Sequence, residues 1–500
     1  MRALPLLLLA GCGSGSTWLD GALWDPSRVA PADDGLYALL PYAGGVVRLR
    51  PGAEPDVVDL GDARATDLQP LPDASGALVR ARRTLCEDED VDPGDPVDRC
   101  SLDGTVIDDR LLRVSGAAVD GSWSIRPELS RFQVSPDGAF AVALVDPSAH
   151  AYGGGLVDLT AMRVIDLRAG ADWDVSIGFG ADRVEFLHDA AGATTGALVL
   201  SRNEVAQVDL TIPSPLPDVT FPLALDAGAS VVPSDVRVTP DGEYALIAIQ
   251  GSSDLYVLDL PGHAINILAL RGAPSAMLTD ASGDRTWVAY RGAAALDAID
   301  HARFDVETWT VDTGFDRLLQ RDGAIIAYAA GSGTAVWRID PGAGVRTEFQ
   351  LHYPVGELRV SPDGGFALTT PRSASPAFEL LSLRPGADGR IDDRARPFGV
   401  DAPIADVAFA EDAAGTSAIL LQAGRTEAYR LRWPELSFDE IELPGDPLAI
   451  GAMPTGGFYV TFDDALGRVA FLDADGTSTE VSGFVTPDLF REPTIAGEEE

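Results

Sequence analysis

Asp88, Asp90 and Asp92 alternate along the chain, the spacing at which the carboxylates of a calcium loop converge on one ion. The EF-hand template then requires Gly at its sixth position and an acid at its twelfth, where this chain has Pro93 and Arg99. Asp473-Ala474-Asp475-Gly476 is a second fragment of the same kind, equally incomplete. A solvated acidic loop is therefore the expected reading at both places, with calcium the secondary one, and no cofactor is expected. The five histidines (His150, His188, His263, His301, His352) show no i+2 or i+4 pairing and read as structural or surface residues. Nucleophile elbows, paired-histidine zinc helices, Cys-x-x-Cys pairs, Walker loops and dinucleotide glycine fingerprints are missing from the sequence. The 37 basic residues are all arginine, so chemistry that needs a lysine amine is excluded.

The elements that would position any such group follow from a repeated phrase. Val134-Ser135-Pro136-Asp137-Gly138, Val238-Thr239-Pro240-Asp241-Gly242 and Val360-Ser361-Pro362-Asp363-Gly364 are three copies of one turn. Pro presets φ, Asp bonds back to the backbone, and Gly138, Gly242 and Gly364 take the positive φ that ends the turn. Each copy is followed by an aromatic residue (Phe140, Tyr244, Phe366) and an apolar run. Degenerate copies lie at Asp33-Asp34-Gly35, Pro72 to Gly76, Gly180-Ala181-Asp182, Asp280 to Gly283, Arg321-Asp322-Gly323, Glu411 to Gly415 and Pro454 to Gly457.

From Asp241 to Asp363 the copies stand 40 or 41 residues apart, and the widest gap, 64 residues from Asp73 to Asp137, holds an acidic insert. A period near 40 with several short strands per unit predicts an all-β protein, a β-propeller of four-stranded antiparallel blades. Ten candidate units result, or seven or eight blades if some are half-blades. One ring is favoured over two in tandem. The clearest unit predicts strands at Val236–Thr239, Tyr244–Ile249, Leu255–Leu260 and Ala264–Leu270. Trp173, Trp287, Trp309 and Trp337, in or beside predicted strands, are expected to pack between blades.

That unit resembles the YVTN-type blade of bacterial and archaeal propeller proteins, in which a similar turn precedes a strand, a small-residue turn and a "V-x-V-I-D" strand. Val164-Ile165-Asp166-Leu167 echoes the last of these. The same turn occurs in propellers of the Tol system and of prolyl peptidases, so the resemblance is to WD-like and YVTN-like propellers as a superfamily. At the other end of the chain, Met1-Arg2, the apolar run Ala3 to Leu9 and Leu9-Ala10-Gly11-Cys12 resemble a bacterial lipoprotein signal. The resemblance implies a signal peptide over 1–11, lipidation of Cys12 with a tether over 12–24, and export to the cell envelope. Gly13 after the cysteine implies the outer membrane in a diderm host. The propeller is then expected over 25–485 and a C-terminal tail over 486–500. An exported compartment favours a disulfide between Cys86 and Cys100, closing the acidic insert 86–100 at a gain of about 3 kcal/mol.

With 77 acidic against 37 basic residues, a formal charge of −40 excludes a basic footprint for nucleic acid or anionic lipid. The expected partners are the membrane, through the lipid, and a protein or small molecule at a propeller face. The first functional expectation is a lipid-anchored extracytoplasmic interaction platform. A propeller enzyme, lactonase-like or quinone-dependent, and a structural envelope component are the alternatives.

Overall fold

The second strand of several units is an unbroken apolar run such as Phe140–Leu144 or Ala324–Tyr328, buried along its whole length, and the remaining second strands are mostly buried as well. A strand that reads this way has both faces covered, whereas strands that end in water alternate. The fourth strands show the opposite pattern, as in Val306–Thr310, which is largely exposed. Burial is thus greatest at the second strand and falls to the outer edge, while first strands such as Arg317–Arg321 are partly open on the inner side.

The computed structural model describes residues 24, 26–40, 44–86, 105–146, 158–189, 191–224, 230–280, 282–386, 389–412, 415–465, 467–473 and 476–485. Among them every regular element is a strand, and the strands form ten four-stranded sheets. Each sheet is an antiparallel meander of four consecutive strands. The blades span 29–58, 64–125, 131–176, 181–222, 233–269, 276–310, 317–350, 355–399, 404–442 and 447–482, numbered here 1 to 10. First strands of successive blades touch one another, for example Pro233–Val238 against Ala276–Thr279, so they form the inner ring around a channel.

Ten apolar clusters hold the blades together, and each spans one interface between neighbours. Nine join consecutive blades. The tenth packs Leu36, Ala38 and Val47 of blade 1 against Val469, Phe471 and Val481 of blade 10, with Trp24 and Phe484 beside them. The protein is therefore one closed ring of ten full blades, which removes the half-blade and tandem-ring alternatives. No blade borrows a strand from another. Trp173, Trp287, Trp309 and Trp337 all lie in or against these interface clusters, as expected.

The strands of blade 5 are Pro233–Val238, Tyr244–Ile249, Asp254–Asp259 and Ala264–Ala269, close to the expected set. Nine of the ten anticipated turns connect a first to a second strand. The exception is Gly180-Ala181-Asp182, where the structure differs: Ala181 begins the first strand of blade 4, Ala181–His188. The turn of that blade lies at Asp189 to Gly192, where Gly192 N–H donates to Asp189 O at 2.9 Å. The acidic insert emerges from blade 2 between Ala77–Cys86 and Thr105–Ser115, the longest hairpin of the ring.

Candidate binding surface in the channel

The Pro-Asp-Gly turns close themselves as their residues dictate. Ser135 Oγ donates to Asp137 Oδ1 at 2.7 Å and accepts from Phe140 N at 2.9 Å, while Ala139 N donates to Asp137 Oδ1 at 3.1 Å. Ser361, Asp363, Gly365 and Phe366 repeat the pattern, as do Thr239, Asp241, Glu243 and Tyr244. Gly138, Gly242 and Gly364 have φ of 66°, 72° and 65°, in the left-handed region that favours glycine.

The same carboxylates also reach the next blade, a role their sequence pattern does not announce. Thr194, at the start of the second strand of blade 4, donates its N–H to Asp137 Oδ2 at 3.0 Å and its hydroxyl to Oδ1 at 2.7 Å. Thr416 of blade 9 stands in the same relation to Asp363. In blade 1, Asp34 Oδ2 accepts from Gly116 N of blade 2 at 3.0 Å and from Arg48 Nη1 at 2.7 Å. Within blade 6, His301 Nδ1 donates to Gly283 O at 2.7 Å and its Nε2 accepts from Thr286 Oγ1 at 2.9 Å, and across the interface to blade 5 the ring is near enough to help lower the Asp241 carboxyl.

Burial pushes the Asp137 carboxyl up, but the hydrogen bonds from Thr194, Ser135 and Ala139 outweigh it and hold the carboxyl well below the ordinary range. Asp241 and Asp363 are lowered in the same way, against burial, chiefly by Thr239 and Ser361 respectively. Burial and the neighbouring Asp34 push the Tyr37 hydroxyl up to about 12; it donates to Gly116 O at 3.0 Å. These aspartates are committed acceptors in structural turns.

The inner ring is stitched by side chains that reach a first-strand carbonyl on the following blade. Arg28 Nη1 donates to Thr66 O at 2.9 Å, Gln69 Nε2 to Phe132 O at 2.8 Å, and Arg237 Nε to Met277 O at 2.7 Å. Arg131 Nη2 donates to Asp182 O at 3.0 Å, and Arg359 Nη1 donates to Val407 O. A first strand pairs on one edge only, so such donors satisfy carbonyls that would otherwise depend on channel water.

Between blades 7 and 10 the inner wall opens into a concavity of about 550 Å³. Its apolar lining includes Leu319, Leu358, Val360, Val407, Phe409 and Ile450. The polar side chains in the lining are Gln320, Arg321 and Arg359, with no carboxylate, in a chain of charge −40. Arg359 is engaged by Glu357 at 2.7 Å and Asp406 at 2.9 Å. The Arg321 side chain has no hydrogen-bond or ion-pair partner among the described residues. The arc can grip an apolar body and one anionic group, and its lining holds no carboxylate or imidazole to act as a general base.

The remaining anticipated site residues fall elsewhere. Asp473 directly follows the third strand of blade 10, Arg468–Leu472, and accepts from Thr477 N at 2.8 Å, a turn-capping role shared by Asp166, Asp209, Asp259, Asp300 and Asp340. Cys86 ends its strand at the base of the insert. Cys12, Asp88, Asp90, Asp92, Cys100 and Asp475 lie outside the described residues. Among the described residues no three His, Cys, Asp or Glu side chains cluster as metal ligands would. His352 Nδ1 lies 3.0 Å from the buried Glu379, which also accepts from the Tyr353 N–H at 3.1 Å and so anchors the connection between blades 7 and 8.

No family model matches the chain, nor does any curated protein. Among solved structures it is similar to one titled as the crystal structure of the eukaryotic initiation factor, at 10% identity and a TM-score of 0.49, over 75% of this chain and 93% of that one. A dihydro-heme d1 dehydrogenase NirN in complex with DHE aligns at 13% identity and a TM-score of 0.41, over 67% of this chain and 76% of that chain. Kuenenia stuttgartiensis hydrazine synthase aligns at 14% and 0.33, over 60% and 95%.

Proposed function

We propose that this protein is a lipid-anchored extracytoplasmic propeller that binds a partner rather than transforming one, with the channel arc of blades 7 to 10 as a docking surface. The observation that carries the reading is the arc itself: four successive first strands line one concavity in which apolar side chains such as Leu319, Val360 and Phe409 stand beside Gln320, Arg359 and an Arg321 side chain without an ion-pair partner among the described residues. A wall without acid in so acidic a protein suits a ligand group that is apolar with an anionic end. The lipobox resemblance at Cys12 supports the location, and the export it implies supports a Cys86–Cys100 bridge across the insert.

Two measurements test this. A photoreactive residue in place of Gln320, which leaves Arg321 intact, is expected in cells to yield a discrete adduct that the same residue at the exposed outer position Val345 does not. Equal adducts at both positions, or none at Gln320, would remove the arc as a docking surface. Cys12→Ala is expected to shift the protein from membranes to the soluble fraction, and unchanged fractionation would sink the anchor.

A further inference from the structure

Every blade ends in an outer strand with one open edge, and an open edge is a template for another strand unless charge or proline guards it. Eight of the ten outer strands carry a charged residue, for example Asp56, Asp120, Glu307 and Glu480, and Val219–Pro222 ends in proline. Ala264–Ala269 of blade 5 has neither; it reads Ala-Ile-Asn-Ile-Leu-Ala. It is also regular: all six residues pair with the third strand without a register shift, from Asp254 opposite Ala269 to Asp259 opposite Ala264. Its side chains are exposed or half-buried, with Ile267 56% exposed. Among the described residues no strand pairs with its outer edge.

The occupant follows from size and charge. Six residues span about 20 Å, so joining two copies edge to edge would bury far less than the roughly 800 Å² per partner of a standard interface. It would also bring together two bodies of charge −40. An extended segment of another protein contacts the same short edge but brings no second body of charge −40, and main-chain hydrogen bonds with flanking basic residues supply its affinity. Asp254 and Asp259 lie on the third strand, opposite the two ends of the edge strand, and Asp259 Oδ1 already accepts from Gly262 N at 2.7 Å, so the attraction for a basic segment comes from the overall charge of −40. We therefore propose that Ala264–Ala269 accepts, as a fifth strand of blade 5, an extended partner segment that is uncharged and β-branched over about six residues and basic at its ends. This surface is independent of the channel arc.

The test uses the purified full-length protein and two labelled peptides, Lys-Lys-Thr-Val-Thr-Val-Thr-Val-Lys-Lys and the same sequence with each Val replaced by Pro. Anisotropy should show saturable binding of the first, with slowed amide exchange at 264–269, and binding of the proline peptide at least about tenfold weaker. Ile267→Lys should weaken the first peptide by about tenfold or more while leaving the unfolding midpoint nearly unchanged, since the side chain is exposed. Equal binding of both peptides, unchanged binding by the variant, or no saturable binding would overturn the proposal. So would a wild-type dimer that Ile267→Lys dissolves, which would give the edge to a second copy.

Discussion

The interface between blades 3 and 4 and the one between blades 10 and 1 solve different problems with different chemistry. The first joins neighbours that the chain already tethers, and it adds to its apolar cluster a carboxylate latch, Asp137 to Thr194. The second joins ends more than 400 residues apart in sequence. There the packing is apolar throughout, with Trp24 stacked edge-on against Phe484 at 5.2 Å and its indole N–H donating to Asp464 O at 2.9 Å. Tethered blades are already close, so a directional bond mainly sets their register. Closing the ring must offset the entropy of a very long loop, which buried apolar area does more effectively than a hydrogen bond whose net gain is about 1 kcal/mol.

Breaking the closing interface should have the largest effect. Trp24→Ala removes a nearly fully buried indole and should cost about 3–5 kcal/mol. Thermal unfolding should then show early exposure of blades 1 and 10 by amide exchange; uniform loss around the ring would show that closure is no weaker than the other interfaces. Asp137→Asn should cost less, about 1–2 kcal/mol, because the amide keeps the shape but loses the charge-assisted acceptors. Its effect should also depend on pH. The wild-type carboxyl has a lowered folded pKa, so its stabilisation is complete above the unfolded value near 4 and fades as pH falls toward the folded value. Wild type and variant should therefore converge in melting temperature below about pH 4. A gap that persists unchanged at acid pH would mean the latch acts by packing alone.

The fold was legible because its signal is local. Pro-Asp-Gly turns and unbroken apolar second strands are written within a few residues, and nine of ten turns stand where the repeat puts them. Blade 4 escaped because Gly180-Ala181-Asp182, at the start of its first strand, has the turn's residue types and drew the assignment away from Asp189 to Gly192. The latches were not legible: Thr194 lies 57 residues beyond Asp137, and only the ring brings them together. Nor was the channel arc, whose lining residues sit on four blades from Leu319 to Ala452. Asp473, a secondary calcium candidate in the sequence, caps one more repeated turn, a role that its neighbours in sequence do not distinguish from a ligand's.

That each blade is woven from four consecutive strands has a bearing on the history and engineering of the molecule. A ring whose units share no strand can gain or lose one by in-frame duplication or excision without rethreading its neighbours. Blade number is then a heritable quantity that changes in single steps. The chain could also be opened at any connection between blades and its ends rejoined elsewhere, leaving every sheet whole.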